Sequence, residues 1–320
     1  MTEPVAALTD FSLSLVRNGI RNQVLERIDL QIRPGEILGL VGESGSGKSV
    51  LALSLLGLLP HTSHPQADGQ VTVSGVDMVR AGPAELRRVR GEVLGAIFQD
   101  PMTSLNPTMR IGKQIGEVTH DDAESVRLLE TVGVRDAQLR LRVYPHELSG
   151  GLRQRVMAAI AVGGRPGLIV ADEPTTALDV TVQAQLLDLL RELRDEFGCS
   201  VLLITHDLGV VADLADRVVV MYAGRTIEEA GTEALFARHS HPYTRGLLEA
   251  VPDPERRAGG IREIPGRVPT LRSSPDECTF ADRCQRADSL CRARRPELLP
   301  GPAGHPVRCV HPLPLPEVSR

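Results

Sequence analysis

The 320-residue sequence has few aromatic residues: they form 2% of the chain, and there is no tryptophan. Proteins that bind single-stranded nucleic acid by stacking need exposed aromatic rings, so this composition argues against a stacking surface. Neither sign of charge is in large excess, because 36 basic residues stand against 41 acidic ones and the net charge is −5. The sequence therefore gives no sign of the bulk electrostatic attraction that draws proteins to nucleic acid.

The sequence also lacks an apolar run of membrane-spanning length. The longest, VLALSLLGLL at 50–59, is far shorter than the roughly 20 residues that a spanning helix needs. The first residues, MTEPVAALTD, have neither the basic start nor the apolar stretch of a signal peptide. We therefore expect a cytoplasmic protein that reaches a membrane only through a partner.

Proline and cysteine are concentrated near the end of the chain. Thirteen of the 23 prolines and four of the five cysteines lie in the last 80 residues. This change in composition predicts a regular domain over residues 1–235 and an irregular, proline-rich extension over residues 236–320.

Apolar strands alternate with helical segments before this boundary. The predicted strands are 36–42, 70–75, 93–99, 167–174, 200–207 and 217–224. Helices are predicted at 50–59 and 180–197, and a helical region at about 100–165. Continuous apolar strands between helices indicate an α/β fold with a largely parallel sheet covered on both faces. Ligands of such sheets bind beyond the carboxyl ends of the strands.

GESGSGKS at 42–49 lies between a predicted strand and a predicted helix, which is the context of a phosphate-binding loop. Its glycines let the backbone present N–H groups to phosphates in a concave nest. Lys48 adds a positive charge, and the hydroxyl of Ser49 is a ligand for Mg²⁺. The candidate nucleotide contacts here are Gly42, Glu43, Ser44, Gly45, Ser46, Gly47, Lys48, Ser49 and Val50.

Polar side chains follow three other predicted strands. Asp172 ends an apolar strand, where a carboxylate can hold Mg²⁺, and Glu173 follows it in position to act as a general base on water. Gln99 and His206 each end a further strand. The glutamine amide can reach the metal or the water, and the histidine can contact a terminal phosphate. Taken alone, the glutamine also fits a surface position, and the histidine also fits a polar residue with its hydrogen bonds satisfied.

A second candidate phosphate site occurs in HELSGGLRQRV at 146–156. Ser149, Gly150 and Gly151 precede a predicted helix, whose N-terminus carries free N–H groups and a partial positive charge. No lysine follows these glycines. Taken alone, the segment fits equally well a serine N-cap followed by a glycine turn.

Five segments, in their order along the chain, resemble the ATP-binding subunit of an ABC transporter: GESGSGKS, FQDPMTSLNP, LSGGLRQR, LIVADEPTTALD and ITHDL. The resemblance implies a P-loop ABC ATPase fold with a mixed sheet core, a helical signature subdomain and an irregular C-terminal tail rich in Cys and Pro. It implies ATP and Mg²⁺ as ligands, with Ser49, Gln99 and Asp172 at the metal, and Glu173, His206 and Gln99 in catalysis. It also implies that two such domains pair head to tail. Ser149, Gly150 and Gly151 would then close over the ATP of the partner, and Asp179 would line the seam.

FQDPMTSLNPTMRIG, HSHPYTRGLLEAVP and the cysteine-bearing tail are similar to the oligopeptide, dipeptide and nickel importer branch of this family. The branch implies uptake of peptides across the cytoplasmic membrane, with the chain at its cytoplasmic face. The implied partners are a second, non-identical ATPase subunit, two permease subunits and an extracytoplasmic solute-binding protein, and no nucleic acid. Uptake of nickel or another small solute, an ABC ATPase acting on nucleic acid, and a nucleotide-binding regulator without hydrolysis are the alternatives.

Cys278, Cys284, Cys291 and Cys309 contain no closely spaced pair. Disulfides are rare in a reducing cytoplasm, and zinc prefers closer pairs of cysteines. The similarity to tails of peptide-importer ATPases implies a [4Fe–4S] cluster held by the four thiolates. Zinc and the absence of any metal are the alternatives. The fifth cysteine, Cys199, is interpreted as a small core residue.

The sequence departs from the family at two places. Most members have an aromatic residue near the end of the first strand, on which adenine stacks, whereas this chain has Leu15 or Val16 there. The helical region between RIGKQIGE and YPHELSGG is also shorter than usual.

Overall fold

The computed structural model describes residues 3–98, 104–175, 180–251, 264–270 and 276–315. The chain divides into two compact units. Unit 1 comprises Met1–Ala6, Gln31–Glu36 and Thr72–Ile204. Unit 2 comprises Ala7–Leu30, Ile37–Val71 and Thr205–Arg320.

The strands are β1 (Ala6–Arg17), β2 (Ile20–Ile32), β3 (Ile37–Val41), β4 (Gln66–Val73), β5 (Val76–Asp77), β6 (Leu94–Ile97), β7 (Leu168–Asp172), β8 (Ser200–Thr205), β9 (Arg217–Tyr222), β10 (Arg225–Gly231), β11 (Leu299–Pro300) and β12 (Pro306–Val307). The helices are α1 (Lys48–Leu55), α2 (Pro83–Glu92), α3 (Ile111–Thr119), α4 (Asp122–Thr131), α5 (Ala137–Arg140), α6 (Gly150–Gly163), α7 (Val180–Phe197), α8 (Leu208–Leu214), α9 (Thr232–Arg238), α10 (Pro242–Glu249) and α11 (Ser289–Ala293).

Unit 2 contains a mixed sheet. Strand β3 runs parallel to β9, with Leu38 opposite Arg217 and Val41 opposite Val220. Strand β10 is antiparallel to β9, and β12 is antiparallel to β10. Every residue of β3 and of β9 is buried, as continuous apolar strands predict. The expected mixed sheet is therefore confirmed.

Unit 1 contains parallel strands and most of the helices. Strand β7 pairs in parallel with β6 on one side and with β8 on the other. Between β6 and β7 the chain forms α3 to α6, where α3 and α4 pack on α6. Leu128, Leu129 and Val132 are buried here, because their spacing of one to four residues places them on one helix face. Helices α3 to α6 thus lie within the region where this spacing predicts helical structure.

Helix α1 differs from the prediction of 50–59. It begins earlier, at Lys48, because Gly47 adopts a left-handed N-cap with a φ of +103°. It ends at Leu55, because Gly57 has a φ of +62° and Pro60 follows soon after. Glycine in the left-handed region and proline both stop a helix.

Within unit 2, the C-terminal extension is joined to the mixed sheet by a strand pairing and by buried polar groups. Val307 of β12 faces Glu228 of β10. The Glu228 carboxylate is fully buried, accepts hydrogen bonds from the backbone N–H groups of Ser240 and His241, and contacts His305 Nε2 at 2.8 Å. A buried carboxylate with several partners fixes the surrounding backbone, because breaking any of them is costly.

Within the described ranges, no helix combines the length and the apolar character needed to cross a bilayer.

Candidate functional site

The phosphate loop of unit 2 lies between β3 and α1, as predicted. Gly42, Gly45 and Gly47 have φ values of +152°, +85° and +103°, which favour glycine. A Cβ on Gly42 would also run into the carbonyl oxygen of Met221. The backbone path of this loop therefore depends on its glycines.

Lys48 folds back over the loop. Its side chain is buried, and Nζ donates to the carbonyl oxygens of Gly42 at 2.6 Å and Glu43 at 3.1 Å. Ser49 is exposed in the first turn of α1. The hydroxyl of Ser46 is buried and has no hydrogen-bond partner among the described residues. Ammonium, hydroxyl and backbone N–H groups are a donor set suited to phosphate oxygens.

Asp172 and Glu173 of unit 1 lie at the carboxyl end of β7. Asp172 is the last residue of the strand and is paired with Ile204 of β8. Glu173 adopts a left-handed backbone, with a φ of +50°, and its N–H donates to the carbonyl oxygen of Ile204 at 2.8 Å. Left-handed residues other than glycine carry strain and cluster at functional sites. Both carboxylates are half-buried.

Ser149, Gly150 and Gly151 open helix α6 of unit 1. Ser149 is the N-cap, and its hydroxyl accepts from the N–H of Leu152 at 3.4 Å. Gly150 is exposed, does not have a positive φ, and a Cβ added to it would meet nothing within 4 Å. The fold of the chain therefore does not require glycine at this position, which leaves close approach of a ligand as a physical reason for it.

The remaining candidates have differing status. His206 of unit 2 is exposed immediately after β8, before Asp207 caps helix α8. Leu15 and Val16, which stand where most members of the resembled family have an aromatic residue, are half-buried near the end of β1. Gln99 and Asp179 lie outside the described residues.

The four cysteines of the extension line one pocket in unit 2. Cys291 is buried and the other three, Cys278, Cys284 and Cys309, are half-buried. Among the described residues, the group of possible ligands whose donor atoms lie within 4.8 Å of one another is Asp288, Cys291 and His311. Cys199 is buried in the core, as interpreted from the sequence.

Three thiols of this pocket, those of Cys278, Cys291 and Cys309, resist ionisation. Burial, with smaller contributions from the neighbouring cysteines, raises the pKa of Cys309 to about 12. Burial is also the main cause of the raised pKa of Cys278 and of Cys291. A metal that binds here must displace these protons, since only the thiolate is a ligand. Sulfur ligands suit zinc and iron–sulfur clusters rather than Mg²⁺.

The sequence interpretation missed a contact between the extension and the phosphate loop. Arg283 and Tyr243 both bind Glu43. The only available signal was that Tyr243 is one of three tyrosines in a chain with five phenylalanines. Such a scarce residue in an otherwise irregular segment indicates a specific use of its ring or hydroxyl.

Comparison with known proteins places these features in a family. The model of the ABC transporter family matches residues 25–176, and the model of the oligopeptide/dipeptide transporter C-terminal region matches residues 227–291. The chain is 47% identical over 285 residues to the oligopeptide transport ATP-binding protein OppD of Escherichia coli, covering 86% of this chain and 84% of the relative. It is 45% identical over 294 residues to the oligopeptide transport ATP-binding protein AppD of Bacillus subtilis, covering 89% of this chain and 90% of the relative.

A solved structure gives the same fold at lower identity. The structure of cbiO1 from Clostridium perfringens, described as part of the ABC transporter complex cbiONQ, has a TM-score of 0.63. It is 24% identical and covers 74% of this chain and 92% of its own. The expected ABC ATPase fold is thus confirmed. With a phosphate loop, a carboxylate pair after a buried strand and a matching C-terminal region, the chain belongs to the family of ABC transporter ATP-binding subunits, in the branch of oligopeptide and dipeptide transporters.

Proposed function

We propose that the phosphate loop, residues 42–49, binds ATP and that Glu173 serves the hydrolysis of its terminal phosphate. Two observations support this proposal: unit 2 contains a glycine-dependent phosphate loop, and unit 1 contains a left-handed glutamate directly after Asp172. A strained backbone persists only where the surroundings hold it in place, and here it sets the carboxylate at the end of a buried strand.

Each chemical role falls to a group with suitable properties. Lys48 and the loop N–H groups stabilise phosphate charge, and His206 contacts the terminal phosphate. Glu173 accepts a proton from the attacking water. The oxygens of Ser49 and Asp172, together with the amide of Gln99, suit Mg²⁺, which prefers hard oxygen ligands and, when bound, neutralises phosphate charge.

We further propose that the segment Ser149–Gly151 binds the ATP held by a partner ATPase subunit. The support is that Gly150 is exposed, and neither its φ nor its surroundings require glycine. Helix α6 begins there, so its free N–H groups and the positive end of its dipole are available to a bound phosphate. Asp179 would line the same seam.

In this proposal the ATPase cycle drives uptake of peptides across the cytoplasmic membrane, with the chain bound at the cytoplasmic face. Two relatives are named oligopeptide transport ATP-binding proteins, and the C-terminal region is of the oligopeptide/dipeptide type. The partners proposed are a non-identical ATPase subunit, two permease subunits and an extracytoplasmic solute-binding protein. The proposed division places the ABC domain at 1–235 and the extension at 236–320.

The first test concerns nucleotide binding by the full chain. Lys48→Ala is expected to abolish ATP binding, because it removes the ammonium that lies over the loop. The matched control is Lys113→Ala, on the exposed face of α3, which should bind ATP like the wild type. Equal affinity of both variants would refute the assignment of the phosphate loop.

The second test separates the two phosphate sites. Gly150→Ala should leave the melting temperature and the ATP affinity of the isolated chain unchanged, because its new methyl group meets nothing within the chain. In the assembled transporter it should strongly reduce ATP hydrolysis, because the methyl group would meet the partner's nucleotide. Gly116→Ala, in α3 and equally unobstructed, is the control. Normal hydrolysis by Gly150→Ala would contradict the shared site.

The transported solute is tested with proteoliposomes that contain the two ATPase subunits, the permeases and the binding protein. ATP-dependent accumulation of a labelled peptide is expected, and Lys48→Ala should abolish it. Accumulation of nickel ions but not of peptide would overturn the peptide assignment and leave the ATPase assignment intact.

For the cysteine pocket we propose a [4Fe–4S] cluster ligated by Cys278, Cys284, Cys291 and Cys309. The support is that four thiols from distant positions line one pocket. Anaerobically purified protein should contain about four iron atoms and show broad iron–sulfur absorbance. Cys309→Ser should lose most of the iron, whereas Cys199→Ala should keep it. Stoichiometric zinc without iron would overturn this assignment.

A further inference from the structure

Two side chains of the C-terminal extension hold one residue of the phosphate loop. Arg283 donates from Nη1 to Glu43 Oε2 at 2.7 Å and from Nη2 to Glu43 Oε1 at 2.9 Å. The hydroxyl of Tyr243 accepts a hydrogen bond from the backbone N–H of Glu43 at 2.8 Å. Glu43 is thus fixed both at its side chain and at its backbone.

The guanidinium of Arg283 is itself held rigidly. It donates from Nε to the carbonyl oxygen of Pro265 at 2.7 Å, from Nη2 to that of Ile264 at 3.2 Å, and from Nη1 to Tyr222 Oη at 3.4 Å. With the two bonds to Glu43, all five N–H donors of arginine are used. The side chain is only 6% exposed, so this ion pair differs from surface pairs, which contribute little because both partners move.

Tyr243 is fixed by an aromatic cluster. Its ring is fully buried and packs edge-on against Tyr222, with centroids 4.7 Å apart, and against Phe280, with centroids 5.4 Å apart. Three of the eight tyrosines and phenylalanines of the chain meet at this one place. Packing alone would not require a tyrosine, since phenylalanine fills the same space; the hydroxyl is what reaches Glu43.

The position of Glu43 affects the rest of the loop. Its carbonyl oxygen accepts from the N–H of Ser46 at 3.2 Å and from Lys48 Nζ at 3.1 Å. Moving Glu43 therefore moves the turn at Ser46 and the ammonium of Lys48. Groups that are fixed before a ligand arrives bind it more tightly, because less ordering has to occur on binding.

We propose that Arg283 and Tyr243 are positioning residues for ATP: by holding Glu43, they preorganise the phosphate loop and thereby set its affinity for the nucleotide. This inference rests on the proposed role of the loop in ATP binding. It assigns to the extension a task at the nucleotide site, in addition to any metal in the cysteine pocket.

The test measures the ATP dissociation constant of the full chain. Tyr243→Phe removes one hydroxyl and keeps the ring, so we expect affinity to fall about 3- to 10-fold, the usual range for one lost hydrogen bond. Arg283→Gln and Glu43→Gln should each weaken affinity about 10-fold or more, because both remove a charged hydrogen-bonded pair. The control is Arg292→Gln, which removes a nearby but exposed pair with Asp282.

The double variant Glu43→Gln/Arg283→Gln distinguishes positioning from a general effect. If Arg283 acts through Glu43, the double variant binds ATP no more weakly than either single variant. If the two losses multiply, Arg283 acts independently of Glu43 and the proposal is wrong. Tyr243→Phe and Glu43→Gln keep the test valid if Arg283→Gln fails to fold.

In the assembled transporter, Tyr243→Phe should raise the KM for ATP and leave kcat nearly unchanged. A lower kcat with an unchanged KM would mean only that less protein is folded, and would overturn the proposal, as would wild-type ATP affinity in both Tyr243→Phe and Glu43→Gln. Wild-type ATP affinity in Lys48→Ala is a separate result, because it would refute the nucleotide site itself.

Discussion

Glu26→Gln should destabilise unit 2 far more than its small chemical change suggests. The Glu26 carboxylate accepts from Arg225 Nε at 2.9 Å and Nη2 at 2.6 Å, and from Arg295 Nη1 at 2.8 Å. The side chains of Glu26 and Arg225 are 8% and 2% exposed. In Glu26→Gln, water therefore cannot reach Arg225 to compensate for the loss of the carboxylate charge.

The expected size of the effect follows from this burial. Breaking a buried ion pair by changing one partner costs about 3 kcal/mol or more of unfolding free energy. In a unit of this size, 1 kcal/mol corresponds to roughly 2–4 °C, so the melting temperature should fall by roughly 6–12 °C.

Tyrosine fluorescence during urea unfolding measures the change in unfolding free energy. The chain has no tryptophan and three tyrosines, and Tyr222 and Tyr243 both belong to unit 2. The control is Asp10→Asn, which removes an ion pair with Arg27 that is 61% and 71% exposed; asparagine tolerates the left-handed backbone of this position as aspartate does. The control should unfold like the wild type. Equal midpoints for both variants would show that burial does not set the strength of these pairs.

Three further predictions concern the site and its surroundings. Glu173→Gln should keep ATP binding and abolish turnover, because the amide cannot take up a proton from water; near-normal hydrolysis in the assembled transporter would contradict its assignment as general base. Gly42→Ala should lose ATP binding and lower the melting temperature, since the new methyl group would meet the carbonyl oxygen of Met221. ATP binding is measured by isothermal titration, and retained binding would show that the loop adapts to the methyl group. Burial lowers the pKa of His241 to about 4, although the nearby carboxylate of Glu228 opposes the shift. As the pH falls, the imidazole of His241 is therefore protonated in the unfolded chain before it is protonated in the folded chain. About 2 kcal/mol of unfolding free energy should be lost between pH 8 and pH 5. His241→Asn, which can still cap helix α10, should lose less over this range, and an equal loss in both proteins would place the titration elsewhere.

The phosphate loop and the sheet were predictable because their signals are local. The glycines of GESGSGKS set the φ values of their own loop, and a strand before it and a helix after it are written in adjacent residues. The apolar runs that became β7, β8 and β9 predicted buried strands, since a strand covered on both faces has no polar positions. The helix predicted at 180–197 agrees with α7 (Val180–Phe197), and this signal is local too, because the apolar residues recur with helical spacing.

Tertiary structure decided what no local pattern contains. Arg283 and Glu43 are 240 positions apart, and neither residue type announces its partner. The meeting of the four cysteines in one pocket and the left-handed backbone of Glu173 depend likewise on packing between distant segments. A sequence motif fixes geometry only over the few residues that share its turns and hydrogen bonds. Contacts between remote segments are fixed by the folded core, which brings their side chains together.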